Sequence, residues 1–264
     1  MQLLATVVIA RLLTPAETGV FAVAAVFAAL ASTFRDFGVA EYLIQEQVLT
    51  PNKIRSALTA NIVTSWAMAL ILFLGSGWAA EFYRHPGIAD VMRVQSANFL
   101  LIPFGAVTMA YFRREMDFKP IFIAGLAANL TNLAVAITCA VVGLGYMSLA
   151  WASLAGTAVT VFVSLLYRPA DFPRWPGLAE IKGVVRFGKH ASGIYLFGQA
   201  GKSAPEIIIG RALDMPSVAF FSRANGLIEI FHRTVLKAVL PVCMPYFAKS
   251  NREQGHIGPG YLAA

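Results

Sequence analysis

The sequence predicts an all-α integral membrane protein, a polytopic bundle of about eight transmembrane helices arranged as a six-helix lobe plus the first two helices of a second lobe. Three observations lead there. Hydrophobic residues make up 58% of the chain and charged ones only 13%, against roughly 25% charged in an ordinary soluble domain. The apolar residues come in blocks of the length that crosses a bilayer core as a helix, about 20 residues. A short segment also recurs between two pairs of such blocks.

The blocks run from Met1 to Ala10, Val20 to Phe34, Ala57 to Ala80, Val94 to Phe112, Ile121 to Gly143 and Met147 to Tyr167. Two more, Ala191 to Ile209 and Ser217 to about Phe247, carry more polar interruptions. The connectors hold turn or helix-end chemistry: Thr14-Pro15, His85-Pro86-Gly87 and Gly143-Leu144-Gly145. The longest, Arg168 to Lys189, contains Pro169, Pro173 and Pro176 and several basic residues. It is the expected cytoplasmic linker 168–189 between an N-terminal lobe, 1–167, and the start of a C-terminal lobe, 190–264.

Met1 to Ala10 is too short to span and is followed at once by Arg11 rather than by a small-residue cleavage site. It reads as the end of a first helix rather than as a signal peptide. The segment Gly38 to Arg55 mixes Glu41, Gln45, Glu46 and Lys53 with Tyr42, Leu43, Ile44 and Val48. Two readings stand for it, an interfacial segment at the membrane surface or an ordinary loop.

The formal net charge is +7, yet no basic run is interleaved with aromatics, which argues against a nucleic-acid partner. The positive-inside rule accounts for the charge. Alternating the blocks across the membrane puts Arg35, Lys53, Arg55, Arg113, Arg114, Lys119, Arg168, Arg174, Lys182, Arg186, Lys189, Lys249 and Arg252 on one side. Arg11, Arg84, Arg93 and Arg211 fall on the other. The first side is therefore expected to be cytoplasmic.

The repeat lays RLLTPAETGVF, from Arg11, on RALDMPSVAFF, from Arg211, without a gap. Each copy lies between two apolar blocks and contains a proline, Pro15 or Pro216. In that register the seventh helix repeats the first and the eighth repeats the second, in parallel orientation. It sets Met1 against Gly201 in mid-helix, so both ends of the chain look cut.

Catalytic chemistry has no foothold in the sequence, which holds no GxSxG, no Walker loop, no HExxH and no evident paired carboxylates. His85, His190, His232 and His256 are scattered, and Cys139 and Cys243 lie in apolar stretches without metal-ligand spacing. The expectation is a protein that is not an enzyme and uses no metal or cofactor.

Charges inside membrane helices cost about 2.5 to 3.5 kcal/mol each on the insertion scale, so they usually face a cavity or a partner. On the seventh helix Gln199, Lys202, Ser203, Glu206 and Gly210 fall at spacings of three or four and make one polar stripe. Lys202 and Glu206, at i and i+4, are close enough to pair. One reading puts Lys202 on an anionic head group with Glu206 tuning it or binding a coupling cation. The other makes them a structural ion pair between helices.

On the eighth helix Ser222, Asn225 and Glu229 share a face with Arg223 beside it, and a guanidinium engages phosphate in a bidentate fork. Arg35, closing the second helix, either guards the cytoplasmic mouth or serves as a positive-inside anchor. Asn61 and Ser65, Gln95 and Asn98, and Asn129 and Asn132 form short polar faces of the kind that join helices by hydrogen bonds. The candidate substrate-binding residues are thus Arg35, Lys202, Glu206, Arg223 and Asn225.

ARLLTPAETGVFAVA from Ala10 and FRDFGVAEYLIQ from Phe34 resemble the start of polysaccharide transporters in the multidrug/oligosaccharidyl-lipid/polysaccharide exporter superfamily. FFSRANGLIEIF from Phe220 and LPVCMPYFAKS from Leu240 resemble the eighth helix of the same family, so the resemblance covers nearly the whole chain in order. It implies two six-helix lobes facing a central, partly basic cavity that opens alternately to each side of a bacterial inner membrane. The implied substrate is an undecaprenyl-pyrophosphate-linked oligosaccharide for O-antigen, capsule or exopolysaccharide. Membrane lipid, a polysaccharide polymerase and glycosyltransferases are the implied partners. The chain departs from that pattern by stopping after about eight helices. Two alternatives are a non-transporting remnant or scaffold, and an exporter of another substrate in the same superfamily, such as a drug or a peptidoglycan precursor.

Overall fold

A computed structural model describes residues 12–36, 38–46, 48–169, 172–173 and 175–228, without the side chains of residues 36, 41, 45, 187–200 and 202. The described residues up to Ala219 form one compact unit, and those from Phe220 belong to a second. Among the described residues there is no strand.

Helix α1 (Pro15–Asp36) starts on a reciprocal cap that its own sequence encodes. Thr14 Oγ1 accepts from the Glu17 N–H at 3.3 Å, while Glu17 Oε2 accepts from the Thr14 N–H and hydroxyl, both at 2.8 Å. This is a Thr-x-x-Glu capping box with proline at the first helical position, where its missing N–H costs nothing. The buried face of α1 is small, with Val20, Val23, Ala24, Ala28 and Ala31, so other helices approach its backbone closely.

Gly38 turns the chain with a left-handed φ of 63° into a short helix, α2 (Val39–Gln45). Its last carbonyls are closed by side chains from elsewhere. The Arg114 guanidinium donates to the carbonyl oxygens of Leu43 at 2.7 Å and Glu46 at 2.5 Å. Lys53 Nζ pairs with the Glu46 carboxylate at 3.0 Å and donates to Val48 O at 3.0 Å. Tyr42, Leu43 and Val39 are buried against Ile54, Ala57 and Val184. Gly38–Gln45 therefore holds an ordered helix, packed on the lobe at the basic-rich end.

Helix α3 (Pro51–Tyr83) begins on Thr50, whose side chain accepts from the Lys53 N–H, and ends where Arg84 takes a left-handed φ of 55°. Helix α4 (Pro86–Arg114) follows at once, capped by His85 Nδ1 on the Gly87 N–H at 3.2 Å. Helix α5 (Phe118–Val141) is capped by Asp117. The turn after it needs glycine twice, at Gly143 (φ 87°) and Gly145 (φ 53°), before α6 (Met147–Leu166). Helix α7 (Ile181–Ala212) contains Pro205, and a further helical run covers 215–228.

Five of these helices, α1, α3, α4, α5 and α6, are long and apolar enough to cross a membrane, and the chain is a multi-pass, all-α membrane protein. They coincide with the second to sixth apolar blocks. The seventh block lies within α7, the eighth is described only to residue 228, and Met1 to Ala10 lies outside the described residues. On α3 the side chains of Val63, Trp66, Leu70, Leu74 and Trp78 are largely exposed. On a soluble protein such a stripe would be a liability, whereas on a helix long and apolar enough to cross a membrane it suits contact with lipid.

The cross-contacts sort to two ends, as alternating helix directions require. At one end Arg114 meets α2, Thr59 Oγ1 accepts from the Gly177 N–H at 2.9 Å and donates to Gly177 O at 2.7 Å, and Ser56 Oγ accepts from the Glu180 N–H at 3.0 Å. At the other end Gly87 lies under the Tyr146 ring, Gly145 against Glu17, and Gly19 against the backbone of Met215.

Candidate functional site

The polar stripe of α7 is carried on a helix of the first unit that is held near both of its ends. At its start Val184 is fully buried in the cluster with Tyr42 and Phe172. The helix thus opens at Ile181, ten residues before the apolar block that starts at Ala191. Toward its other end, Tyr83 Oη donates to Ile207 O at 3.3 Å. A Cβ on Gly210 would meet the Tyr83 ring at 3.0 Å and Val23 at 3.2 Å. Gly210 is there because α1, α3 and α7 come this close. The Arg211 guanidinium lies 5.3 Å from the centre of the Phe82 ring.

With about 100° of turn per residue, Ser203, Ile207 and Gly210 share the packed face of α7, and Glu206 stands about 60° to one side. Burial agrees, since Ser203 and Gly210 are buried and Glu206 is half-buried. Glu206 therefore flanks the α7 seam. Lys202 lies one turn earlier on the same flank, and its side chain, and so the expected Lys202–Glu206 pairing, falls outside the described residues. So does the side chain of Gln199.

Pro205 was not among the residues that the sequence singled out. It has no N–H to give the carbonyl of Gly201, four residues back, and Gly201 has open space around it. The backbone is thus weakened within the stripe, between Lys202 and Glu206. The signal was a proline in an otherwise apolar run, hidden because the run was still long enough to span.

Arg35 occupies the last turn of α1 and is half-buried. Its guanidinium carbon lies 5.9 Å from the centre of the Phe99 ring on α4, and its carbonyl accepts from Thr64 Oγ1 on α3 at 3.1 Å. Arg223 and Asn225 sit on the helical run 215–228, half-buried and exposed respectively, within the second unit. The structure brings Glu206 to the α1–α3 side of α7 and Arg35 to the α3–α4 side of α1.

The other polar faces act within the lobe. Ser65 donates to Asn61 Oδ1 at 3.0 Å, both buried, and Asn98 Nδ2 donates to Ser153 Oγ at 3.4 Å, joining α4 to α6. Asn132 packs against Gly156 across α5 and α6, and Asn129 returns its donor to Gly125 O at 2.7 Å. Among the described residues no three His, Cys, Asp or Glu side chains stand close enough to hold a metal ion.

Outside the membrane-crossing helices three described groups are clearly perturbed. Asp214 is held below its ordinary 3.8 by hydrogen bonds from the Ser217 side chain and N–H, the latter at 2.8 Å. Tyr42 is pushed above its ordinary 10.0 by burial first and then by the charge and hydrogen bond of Glu46. Tyr146 is raised by burial and by Asp90.

Comparison with known proteins brings in a family profile described as polysaccharide biosynthesis protein, which matches residues 8–264. The succinoglycan biosynthesis transport protein ExoT of Rhizobium meliloti is 26% identical over 94% of this chain and 50% of its own length. The lipopolysaccharide biosynthesis protein WzxC of Escherichia coli is 24% identical over 92% of this chain and 50% of its own. The teichuronic acid biosynthesis protein TuaB of Bacillus subtilis is 22% identical over 86% and 47%. The chain spans about half the length of these relatives. No solved structure matches it.

Proposed function

The chain belongs to the polysaccharide biosynthesis protein family, and from that membership we propose that it forms part of a transporter that flips an undecaprenyl-pyrophosphate-linked oligosaccharide across a bacterial inner membrane by alternating access. The observation that carries the reading is the family match over almost the entire chain, together with relatives named for succinoglycan transport and for lipopolysaccharide and teichuronic acid biosynthesis. The lobes of the transporter are 1–167 and a second that begins near 190, joined by the segment 168–189. The protein performs no catalysis, and polysaccharide polymerase and glycosyltransferases act beside it.

In this reading Lys202 and Arg223 meet the anionic head group, Glu206 and Asn225 line the same path, and Arg35 stands where the substrate enters from the cytoplasmic side. Cations suit a pyrophosphate, and a guanidinium engages it bidentately. The movement is rigid-body rocking of one bundle against the other, for which the weakened turn at Gly201 and Pro205 supplies a bending point.

The test is genetic and biochemical. Deleting the gene is expected to leave lipid-linked oligosaccharide on the cytoplasmic face and to deplete surface polysaccharide. Unchanged surface polysaccharide overturns the function. Lys202→Gln with Arg223→Gln in the full-length protein is expected to reduce export, and normal export with both replaced removes these residues from the path.

A further inference from the structure

We infer that the segment around Trp175 and Leu178 is a membrane-surface anchor, seated in the headgroup layer at the basic-rich end of the bundle. Trp175 and Leu178 are 77% and 68% exposed, although the backbone between them is firmly held. Gly177 exchanges two hydrogen bonds with the Thr59 hydroxyl, at 2.9 and 2.7 Å, and its N–H also reaches Arg55 O at 3.3 Å. Three residues on, the Glu180 N–H donates to the buried Ser56 Oγ at 3.0 Å. The chain crosses the foot of α3 as a strap, and two large apolar side chains are left on its outside.

The register along α3 fixes the depth of that strap. Arg55, Thr59, Val63, Trp66 and Leu70 follow one another at spacings of four and three, so they lie on a single stripe. Its upper members are the exposed lipid face, with Val63 62% and Leu70 58% exposed. From Val63 to Phe82 the helix rises about 29 Å, which matches a hydrocarbon core of about 30 Å. Thr59 is one turn, about 6 Å, before Val63 and lies near the start of the apolar block Ala57 to Ala80, at the boundary between core and headgroups.

Gly177 therefore sits on the lipid-facing stripe at that boundary, and the exposed patch continues the lipid-facing surface without a break. An indole favours this layer because its ring is apolar and its N–H stays hydrated. The exposed cations Arg55, which packs against Gly177, and Lys182, on the first turn of α7, complete a surface suited to phospholipid phosphates.

The test uses the full chain in vesicles of phosphatidylethanolamine and phosphatidylglycerol. In a variant with Trp66→Phe, Trp78→Phe and Trp151→Phe, Trp175 is the one remaining tryptophan. Lipids brominated near the headgroup end of the acyl chain are expected to quench it by at least twofold, with blue-shifted emission and little quenching by aqueous acrylamide. Ready quenching by acrylamide with no lipid quenching overturns the anchor, because the strap is then in water. Protection from both quenchers overturns it as well, because protein then covers the patch. Should the triple variant fail to fold, the difference in lipid quenching between the wild type and Trp175→Ser reads the same quantity, and equal quenching refutes the assignment.

Discussion

Thr14 and Asp214 begin their helices with the same cap. Thr14 Oγ1 accepts from the N–H of Glu17, and Asp214 Oδ1 accepts from the N–H of Ser217, three residues on in each case. The backbones repeat as well, with Thr18 N–H donating to Thr14 O and Val218 N–H to Asp214 O. These are the positions that the gapless alignment of the Arg11 and Arg211 segments sets against each other. Thr and Asp are both favoured N-cap residues, and here each accepts from the N–H three residues on.

Thr14→Ala is expected to destabilise the folded protein by about 1 kcal/mol, the usual cost of a lost N-cap, measured by thermal unfolding in detergent. At Asp214 the consequence is a pH dependence. Its folded-state value is depressed, so the stability it adds is present above the ordinary 3.8 and is lost as pH falls through the depressed value. Asp214→Asn keeps the cap without the charge and should remove that acid-limb contribution. An unaltered acid limb would show that the carboxylate adds nothing.

Gly19 admits no side chain. A Cβ there would lie 2.0 Å from the carbonyl oxygen of Met215, and a backbone carbonyl cannot rotate away as a side chain would. Gly19→Ala is expected to cost about 1–3 kcal/mol, as overpacking does elsewhere. Gly75→Ala, on α3 with open space around it, is the control and should cost nothing. Equal unfolding temperatures for the two variants would mean that α1 and the backbone of Met215 are not in contact.

Tyr42 predicts the opposite pH behaviour at the basic-rich end. Burial and the Glu46 carboxylate favour its neutral form and raise it above 10.0. Its contribution is complete below the unfolded value and is lost as pH rises through the folded one. Tyr42→Phe should therefore flatten the alkaline decline in stability above pH 10.0, read by tryptophan fluorescence across a pH series. A decline as steep as that of the wild type would assign the alkaline transition to other groups.

How much of this was legible beforehand depends on what each residue answers to. Apolar runs answer to the bilayer, and among the described residues five of the eight blocks fall on helices long and apolar enough to cross a membrane. Thr14-Pro15, His85-Pro86 and Gly143-Leu144-Gly145 answer to local backbone chemistry and mark helix ends as expected. Helix α2 and the first stretch of α7 answer instead to tertiary packing. Leu43 and Val184 become buried only because they meet each other's cluster, and no window of the chain contains both. Asn98 and Ser153 also belong to different blocks, so the spacing within one helix showed a polar face but not its partner. For the candidate site, the stripe on α7 could be read from spacing, whereas the seam that fixes its orientation, Tyr83 with Ile207 and Gly210 with Val23, is made by residues distant in the chain.

Arg35 separates two roles that the sequence left level, and its contact with Phe99 supplies the means. A positive-inside anchor needs only charge, so Arg35→Lys should leave stability and topology intact if that is all it does. A guanidinium within about 6 Å of a ring centre is worth about 0.5–2 kcal/mol, and lysine carries its charge on a compact ammonium instead. We expect Arg35→Lys and Phe99→Leu each to lower the unfolding temperature, and the double variant to lose less than the sum of the two, since both remove one contact. Strict additivity would mean the guanidinium and the ring do not interact. Export by the full-length protein then adds the second axis. If Arg35→Lys lowers export more than Phe99→Leu does at matched stability, the guanidinium acts on substrate as well as on the ring; equal losses confine it to holding α1 against α4.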